Sequence, residues 1–266
     1  MSLTLSKIEI LAADIGKESS MPSFARSLLD QPFKNALSED DEIYLNFMPN
    51  NSAFPYRAQN NYSRELKNTV FDCVILENEY LKATFLPTFG GRLWSLVDKI
   101  ANRELLYKNS VLTFANLAVR NAWFSGGVEW NCAVRGHTPF TCSPIFVSVL
   151  KDENGEDVLR MYEYERIRCM TYQMDFSLPK GSKFLHARMR VVNTKNSTNS
   201  TYWWSNIAVR TTKGMRVIAP CDSAYTNGSN DYVVFKLPVP EYNGRDVTFP
   251  KNTPESRDYF WNTSNY

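Results

Sequence analysis

Residues 116–144 read NLAVRNAWFSGGVEWNCAVRGHTPFTCSP. Two Trp, two Phe, two Arg, three Asn, one Glu and one His crowd into this stretch. Together these residue types suit sugar recognition. A pyranose has an apolar face, on which an indole stacks, and a rim of hydroxyls that both donate and accept hydrogen bonds. On this reading Trp123 and Trp130 supply the floor, while Arg120 and Asn131 serve the rim. Gly126-Gly127 and Gly136 allow backbone conformations and close approaches that a side chain forbids. The same composition also fits a plainer reading, in which Trp123, Phe124 and Trp130 are core rings beneath a long loop.

Two residues in the stretch have acid–base chemistry. Glu129 stands between Val128 and Trp130; a carboxylate among large rings loses hydration, which raises its pKa and suits general acid or base work. The alternative is a structural ion pair with Arg120 or Arg135. His137 follows Gly136, and an imidazole exchanges protons near neutrality; its alternative is a structural hydrogen bond. A second pair of carboxylates, Glu163 and Glu165, alternates in VLRMYEYERIRCM and falls on one strand face. They either line a groove as a catalytic pair or answer cross-strand arginines such as Arg188 and Arg190. In YWWSN, Trp204 and Asn206 share a face, again a sugar-compatible pair. His186 alternates with Arg188 and Arg190 and reads as surface.

The elements that position these residues have period two. Candidate strands cover 70–77, 80–86, 92–97, 145–151, 158–170, 172–178, 184–192, 201–209, 216–219 and 232–237, joined by turn-like links such as DENG and PKG. No helical pattern separates them, which excludes a parallel α/β fold and predicts an all-β, large antiparallel sandwich. Residues 1–60 read as an irregular lead-in packed on that sandwich, with a helix over 21–29 and one strand near 43–47, and the sandwich occupies 61–266. Met1-Ser2-Leu3 looks like a cloning scar and carries no structural expectation.

Composition narrows the partners. The chain has 266 residues, 43% of them hydrophobic and 14% aromatic, enough for a sizeable core. Its 30 basic and 28 acidic side chains lack the basic excess that nucleic-acid binding normally brings. No apolar run approaches the roughly eighteen residues of a membrane-spanning helix. The five cysteines are odd in number and without CxxC spacing, so they read as free thiols of a reducing cytoplasm, with Cys73 and Cys169 in the core. Nucleotide-binding, nucleophile-elbow and zincin motifs are absent, so no cofactor or metal is expected, although a calcium site built from carboxylates and carbonyls stays open.

Several segments resemble a known superfamily. LENEYLKATFLPTFGGRLWSLVDK resembles the opening of galactose-mutarotase-like domains. GGVEWN followed by GHTPF resembles a segment of the glucose-6-phosphate epimerase branch. FSGGVEWN, GHTPF and YWWSNIAV together are similar to an uncharacterised bacterial domain-of-unknown-function group in that superfamily, whose longer members carry tetratricopeptide repeats. The resemblance covers roughly residues 56–220. It implies a supersandwich, two large antiparallel sheets with a concave face that binds carbohydrate. It further implies acid–base chemistry at an anomeric carbon, with His137 matching the His-bearing turn, Glu129 in the loop before it and Arg92 near the mouth of the groove.

The chain departs from the mutarotases in lacking their NxxHG and NHxYF motifs and a counterpart of their late carboxylate base. A sandwich without its closing strands leaves an edge open, so a homodimer is the expected assembly. Three functions therefore stand: a carbohydrate-active protein, a non-catalytic carbohydrate-binding module, and a protein-interaction sandwich.

Overall fold

The computed structural model describes residues 2–22, 54–132, 136–212, 214–216, 218, 220–227, 232–236, 241–242 and 245–246. The expected helix over 21–29 falls almost wholly outside these residues, and the expected strand near 43–47, together with Arg135, falls entirely outside them. Contacts divide the chain into two units, Met1–Val209 and Arg210–Tyr266. In chain order the first unit contains β1 (Ser2–Ala13), β2 (Leu66–Glu77), β3 (Leu81–Leu86), β4 (Arg92–Asp98) and β5 (Arg103–Glu104). There follow β6 (Ala115–Ala118), β7 (Asn121–Trp123), β8 (Val128–Cys132) and β9 (Phe146–Lys151). The unit ends with β10 (Asp157–Glu165), β11 (Met170–Ser177), β12 (His186–Asn193) and β13 (Trp203–Ile207). The second unit holds two hairpins, β14 (Ser223–Asn227) with β15 (Tyr232–Lys236), and β16 (Glu241–Tyr242) with β17 (Arg245–Asp246).

The chain is all-β. The first unit is an antiparallel sandwich, with a seven-stranded sheet in the order β1-β2-β3-β4-β8-β13, β5 pairing with β4, and a four-stranded sheet in the order β12-β11-β10-β9. The inner face of the large sheet contributes Leu76, Phe85, Leu93 and Trp130, and the small sheet answers with Leu159, Met161, Tyr172 and Phe176. Rings of Phe85 and Phe176 meet across the interface at 4.8 Å. Among the described residues no helix is long and apolar enough to cross a membrane.

The outer face of the large sheet is covered as well. Ile10, Ala12, Leu86 and Trp94 pack there against Leu112, Phe114, Ala122 and Phe124 from the segment between β5 and β8. Burial on both faces explains why β3, LKATFL, and β8, VEWNC, lack simple alternation of apolar and polar residues. All five residues of β8 are buried, yet successive side chains still leave by opposite faces. Val128, Trp130 and Cys132 enter the sandwich core. Glu129 and Asn131 therefore leave toward the covering loops.

Three expectations are corrected. The first is the strand over 216–219, whose described residues, 216 and 218, are not in a strand. The lead-in is not irregular at its start. Ser2–Ala13 is a 12-residue strand paired with β2 along its whole length, because Ile8, Ile10 and Ala12 alternate onto the buried outer face. The strand expected over 158–170 is interrupted, since β10 stops at Glu165 and a turn leads to β11 at Met170. The turn forms because the Glu165 carboxylate accepts the backbone N–H of Ile167 at 2.8 Å and of Arg168 at 2.6 Å. Cys169 closes the turn at φ 55°, only part-buried, rather than in the core, whereas Cys73 is buried as expected.

Gly127 sets the junction between β4 and β8. Its φ is +67°, and a Cβ there would lie 2.3 Å from the Leu93 carbonyl oxygen. Gly155 has a similar φ of +77° but open space around it. Gly155→Ala should therefore cost only the backbone term, about 1 kcal/mol. Gly127→Ala should cost about 3 kcal/mol or more, since the sheet must also part. Thermal melts of the two variants check this, and equal losses would show that the strand junction tolerates a side chain.

Candidate functional site

The Glu129 side chain leaves the large sheet on its covered outer face, where the loops on either side of β8 close over it. Its side chain is 2% exposed. Oε1 accepts the Thr141 hydroxyl at 2.5 Å and lies 3.7 Å from Arg92 Nη2. Oε2 faces His137 Nδ1 at 2.9 Å and accepts the indole N–H of Trp123 at 3.2 Å. A charged carboxylate only accepts, so the Nδ1 nitrogen carries the proton and donates a hydrogen bond to Glu129.

Burial acts to raise the Glu129 pKa, but the hydrogen bond from His137, the Arg92 charge and the Thr141 hydroxyl outweigh it and hold the group at about 2. This corrects the sequence expectation of a raised carboxyl. The surrounding rings imply the desolvation, and the arginine partner that the alternative reading allows is Arg92 rather than Arg120. Glu129 is therefore ionised across the neutral range, which suits orienting an imidazole and does not suit delivering a proton.

The cation comes from the first residue of β4. Arg92 is buried and donates from Nη1 to the carbonyls of Phe124 at 3.1 Å and Gly126 at 3.0 Å, and from Nη2 to Thr141 Oγ1 at 3.0 Å. Its guanidinium also sits 4.0 Å from the Phe124 ring centroid. Burial pushes the Arg92 pKa down and the Glu129 charge pulls it back up. Arg92 was expected at the mouth of a groove; with 2% of its surface exposed, it is instead the counter-ion beneath Glu129. Cys142 lies in the same environment, and burial pushes its thiol up to about 12, which leaves it unreactive.

His137 sits between two indoles. The ring centroids of Trp123 and Trp204 each lie 5.3 Å from the imidazole centroid, and both tryptophans are half-buried. Trp204 arrives from β13, where it pairs with Asn131, while Asn206 pairs with Glu129. Paired residues share a sheet face, so Glu129, Asn131, Trp204 and Asn206 converge. Trp204 Nε1 donates to the Gly136 carbonyl at 3.1 Å, and Asn131 Oδ1 accepts the Thr138 N–H at 2.7 Å. These bonds fix the His-bearing turn at its beginning. Thr138 and Thr141 were not foreseen as site residues; their only sequence signal was their position in GHTPFT, beside the histidine.

Other candidates lie elsewhere. Trp130 points into the sandwich core, donates to the Gly91 carbonyl at 3.1 Å and packs on Phe176 at 5.0 Å, because β8 alternation sends it away from Glu129. Arg120 is not the partner of Glu129: it pairs with Glu18 and donates to Ser143 Oγ at 2.8 Å. Glu163 and Glu165 do share a face, but neither touches Glu129 or His137 in the bonds described, and neither answers Arg188 or Arg190. Glu165 is fully buried and holds its own turn, also accepting the Tyr56 hydroxyl at 3.0 Å. Burial raises its pKa more than those donors lower it. Glu163 lines a separate cavity of about 610 Å³. His186 is exposed, as expected. Among the described residues no three His, Cys, Asp or Glu side chains gather as a metal site.

Fold and site together define an antiparallel sandwich that carries a buried carboxylate–imidazole pair beneath one loop layer. Over residues 48–259 the chain matches the family described as a domain of unknown function (DUF5107), and it belongs to that family. It is also similar to the crystal structure of a TPR-domain containing protein from Parabacteroides distasonis ATCC 8503, with 20% identity and a TM-score of 0.57. The match covers 73% of this chain and 29% of that one, so this chain spans less than a third of its neighbour. At that identity the likeness concerns the fold alone.

The pH dependence of stability follows from Glu129. Its folded pKa of about 2 lies below the ordinary 4.5, so its ionised form stabilises the fold above that ordinary value, and the contribution fades as pH falls toward 2. Glu129→Gln should remove this part of the acid transition and leave Arg92 buried without a counter-ion, at a cost of about 3–5 kcal/mol near neutrality. Urea melts across the acid range measure both effects. Parallel wild-type and variant stability curves down to low pH would refute the assignment.

Proposed function

We propose that the chain binds carbohydrate, in the manner of the galactose-mutarotase-like superfamily that its motifs resemble. In this reading a sugar lies against the indoles of Trp123 and Trp204, and His137 works at the anomeric carbon. The observation that carries the reading is the placement of two half-buried indoles, each 5.3 Å from one imidazole that is bonded to an ionised carboxylate. Indoles supply the stacking surface, and half-buried Asn206 of β13, paired with Glu129, supplies an amide for a hydroxyl. Glu129 is the positioning residue: it fixes the imidazole tautomer and stabilises the charge gained on protonation. His137 then takes the proton of the anomeric hydroxyl while water delivers one to the ring oxygen. The ring opens, and the reverse transfers reclose it with either configuration. No disulfide joins the five cysteines, and in this reading the protein works in a reducing cytoplasm.

One observation favours a second reading, a carbohydrate-binding module without turnover. The side chains of Glu129 and His137 are each only 2% exposed, a burial that suits a polar anchor for the loop layer.

Titration calorimetry and polarimetry with a panel of aldoses test both readings. Trp204→Ala and Trp123→Ala should each weaken binding about tenfold through lost stacking. His137→Asn should abolish accelerated mutarotation while binding persists. Binding with no acceleration by the wild type selects the module. Wild-type affinity in both tryptophan variants removes the sugar from this face altogether.

A further inference from the structure

The cavity of about 610 Å³ that Glu163 lines is a separate feature of the first unit. Its size lies within the range of small-molecule sites, roughly 300–1,000 Å³. Its walls include Arg57, Arg120, Arg166, Glu18, Glu163 and Tyr56. The guanidinium groups of Arg166 and Arg120 lie 5.1 and 5.5 Å from the centroid of the Tyr56 ring. That ring is itself fixed, since its hydroxyl donates to Glu165 at 3.0 Å and accepts the Arg166 N–H at 2.8 Å. Arg120 is tied to Glu18, to Ser143 and to the carbonyls of Arg57 and Pro139. Arg57 and Arg166, by contrast, are exposed, and among the described residues neither has a carboxylate partner. Arg166 makes one long bond, 3.4 Å, to the Pro55 carbonyl.

We infer that this cavity binds a saccharide carrying a carboxylate, with Arg57 and Arg166 taking the anionic group and Glu163 accepting from a hydroxyl. A guanidinium fork matches a carboxylate with two parallel hydrogen bonds, and fixing one fork on a ring lowers the ordering cost of forming them. Among the described lining residues the charge count selects the anion: three guanidinium groups against two carboxylates leave one positive charge. That balance fits a monoanionic carboxylate better than a phosphate monoester, which carries about −1.5 to −2 at neutral pH. Phe140 and Pro144 supply apolar wall. The choice of a saccharide rests on the carbohydrate-binding reading above, while the anion site itself does not use His137. The segment 137–144 serves both places, with His137 and Thr141 turned to Glu129, and Phe140, Ser143 and Pro144 turned to the cavity.

Titration calorimetry on the full chain with glucuronate, galacturonate, glucose and glucose 6-phosphate tests the inference. At least one uronate should bind about tenfold or more tightly than glucose, and more tightly than glucose 6-phosphate. Added salt should weaken the uronate binding. Arg57→Ala and Arg166→Ala should each reduce it about tenfold at unchanged melting temperature, since both side chains are exposed. Trp204→Ala should leave uronate binding intact, which separates this cavity from the His137 face. Uronates bound no better than glucose, preference for the phosphate, or wild-type affinity in the Arg57→Ala/Arg166→Ala double variant would each overturn it.

Discussion

A carboxylate and a guanidinium, each with a 2% exposed side chain, meet on the outer face of the large sheet, and the covering layer is organised around them. Burying two charges costs several kcal/mol per ion unless the remaining donors and acceptors are filled. Glu129 meets that condition with Thr141, His137 and Trp123, and Arg92 meets most of it with Thr141 and two carbonyls. Those partners come from β4, β7, β8, the loop after β7 and the turn that carries His137. One ion pair thus adds a polar tie between segments that the apolar cluster of Trp94, Phe114 and Phe124 already brings together. Removing either charge leaves the other buried and alone, so the network behaves as a unit.

The sandwich makes room for the pair through a division of labour within β8. One strand feeds two cores, because alternate side chains enter opposite layers. Val128, Trp130 and Cys132 join the apolar interior between the sheets, while Glu129 and Asn131 join the polar layer outside. β13 continues the same division by pairing Trp204 and Asn206 with the polar positions. The indole of Trp204 is useful there for its two chemical faces. Its N–H holds the Gly136 carbonyl, and its ring walls in the imidazole.

Period-two patterning was enough to read most strands and the all-β class, since alternation is a local property. The crowded stretch at 116–144 was also legible, and it did bring Glu129, His137 and Trp123 together. What the sequence hid was long-range. Arg92 lies 37 positions before Glu129, and no local pattern distinguishes it as a counter-ion. The placement of Trp130 depended on which face of β8 met the small sheet, which Glu129 and Trp130 as neighbours could not reveal. β1 was overlooked because its partner β2 begins at Leu66, far along the chain, and because charged Lys7 and Glu9 alternate with the apolar residues. Glu165 misled differently: a carboxylate on an inward face suggested a groove, although three donors at the end of β10 fully occupy it.

The two carboxylates beside aromatic rings, Glu129 and Glu165, show why burial alone does not assign a role. Both are desolvated to a similar degree, with exposures of 2% and 0%. Their pKa values move in opposite directions because the hydrogen bonds and charge around Glu129 outweigh its burial and those around Glu165 do not. Glu129 faces a buried guanidinium and a histidine, so its ionised form is favoured. Glu165 is held by two backbone amides and a phenol, with a smaller contribution from the Arg168 charge; together these lower its pKa by less than burial raises it. A neutral donor offsets part of a carboxylate's desolvation, and a close buried cation adds a Coulombic attraction to that offset. That asymmetry places the permanent negative charge of this layer beneath His137, where an imidazole that gains a proton finds its counter-ion already in position.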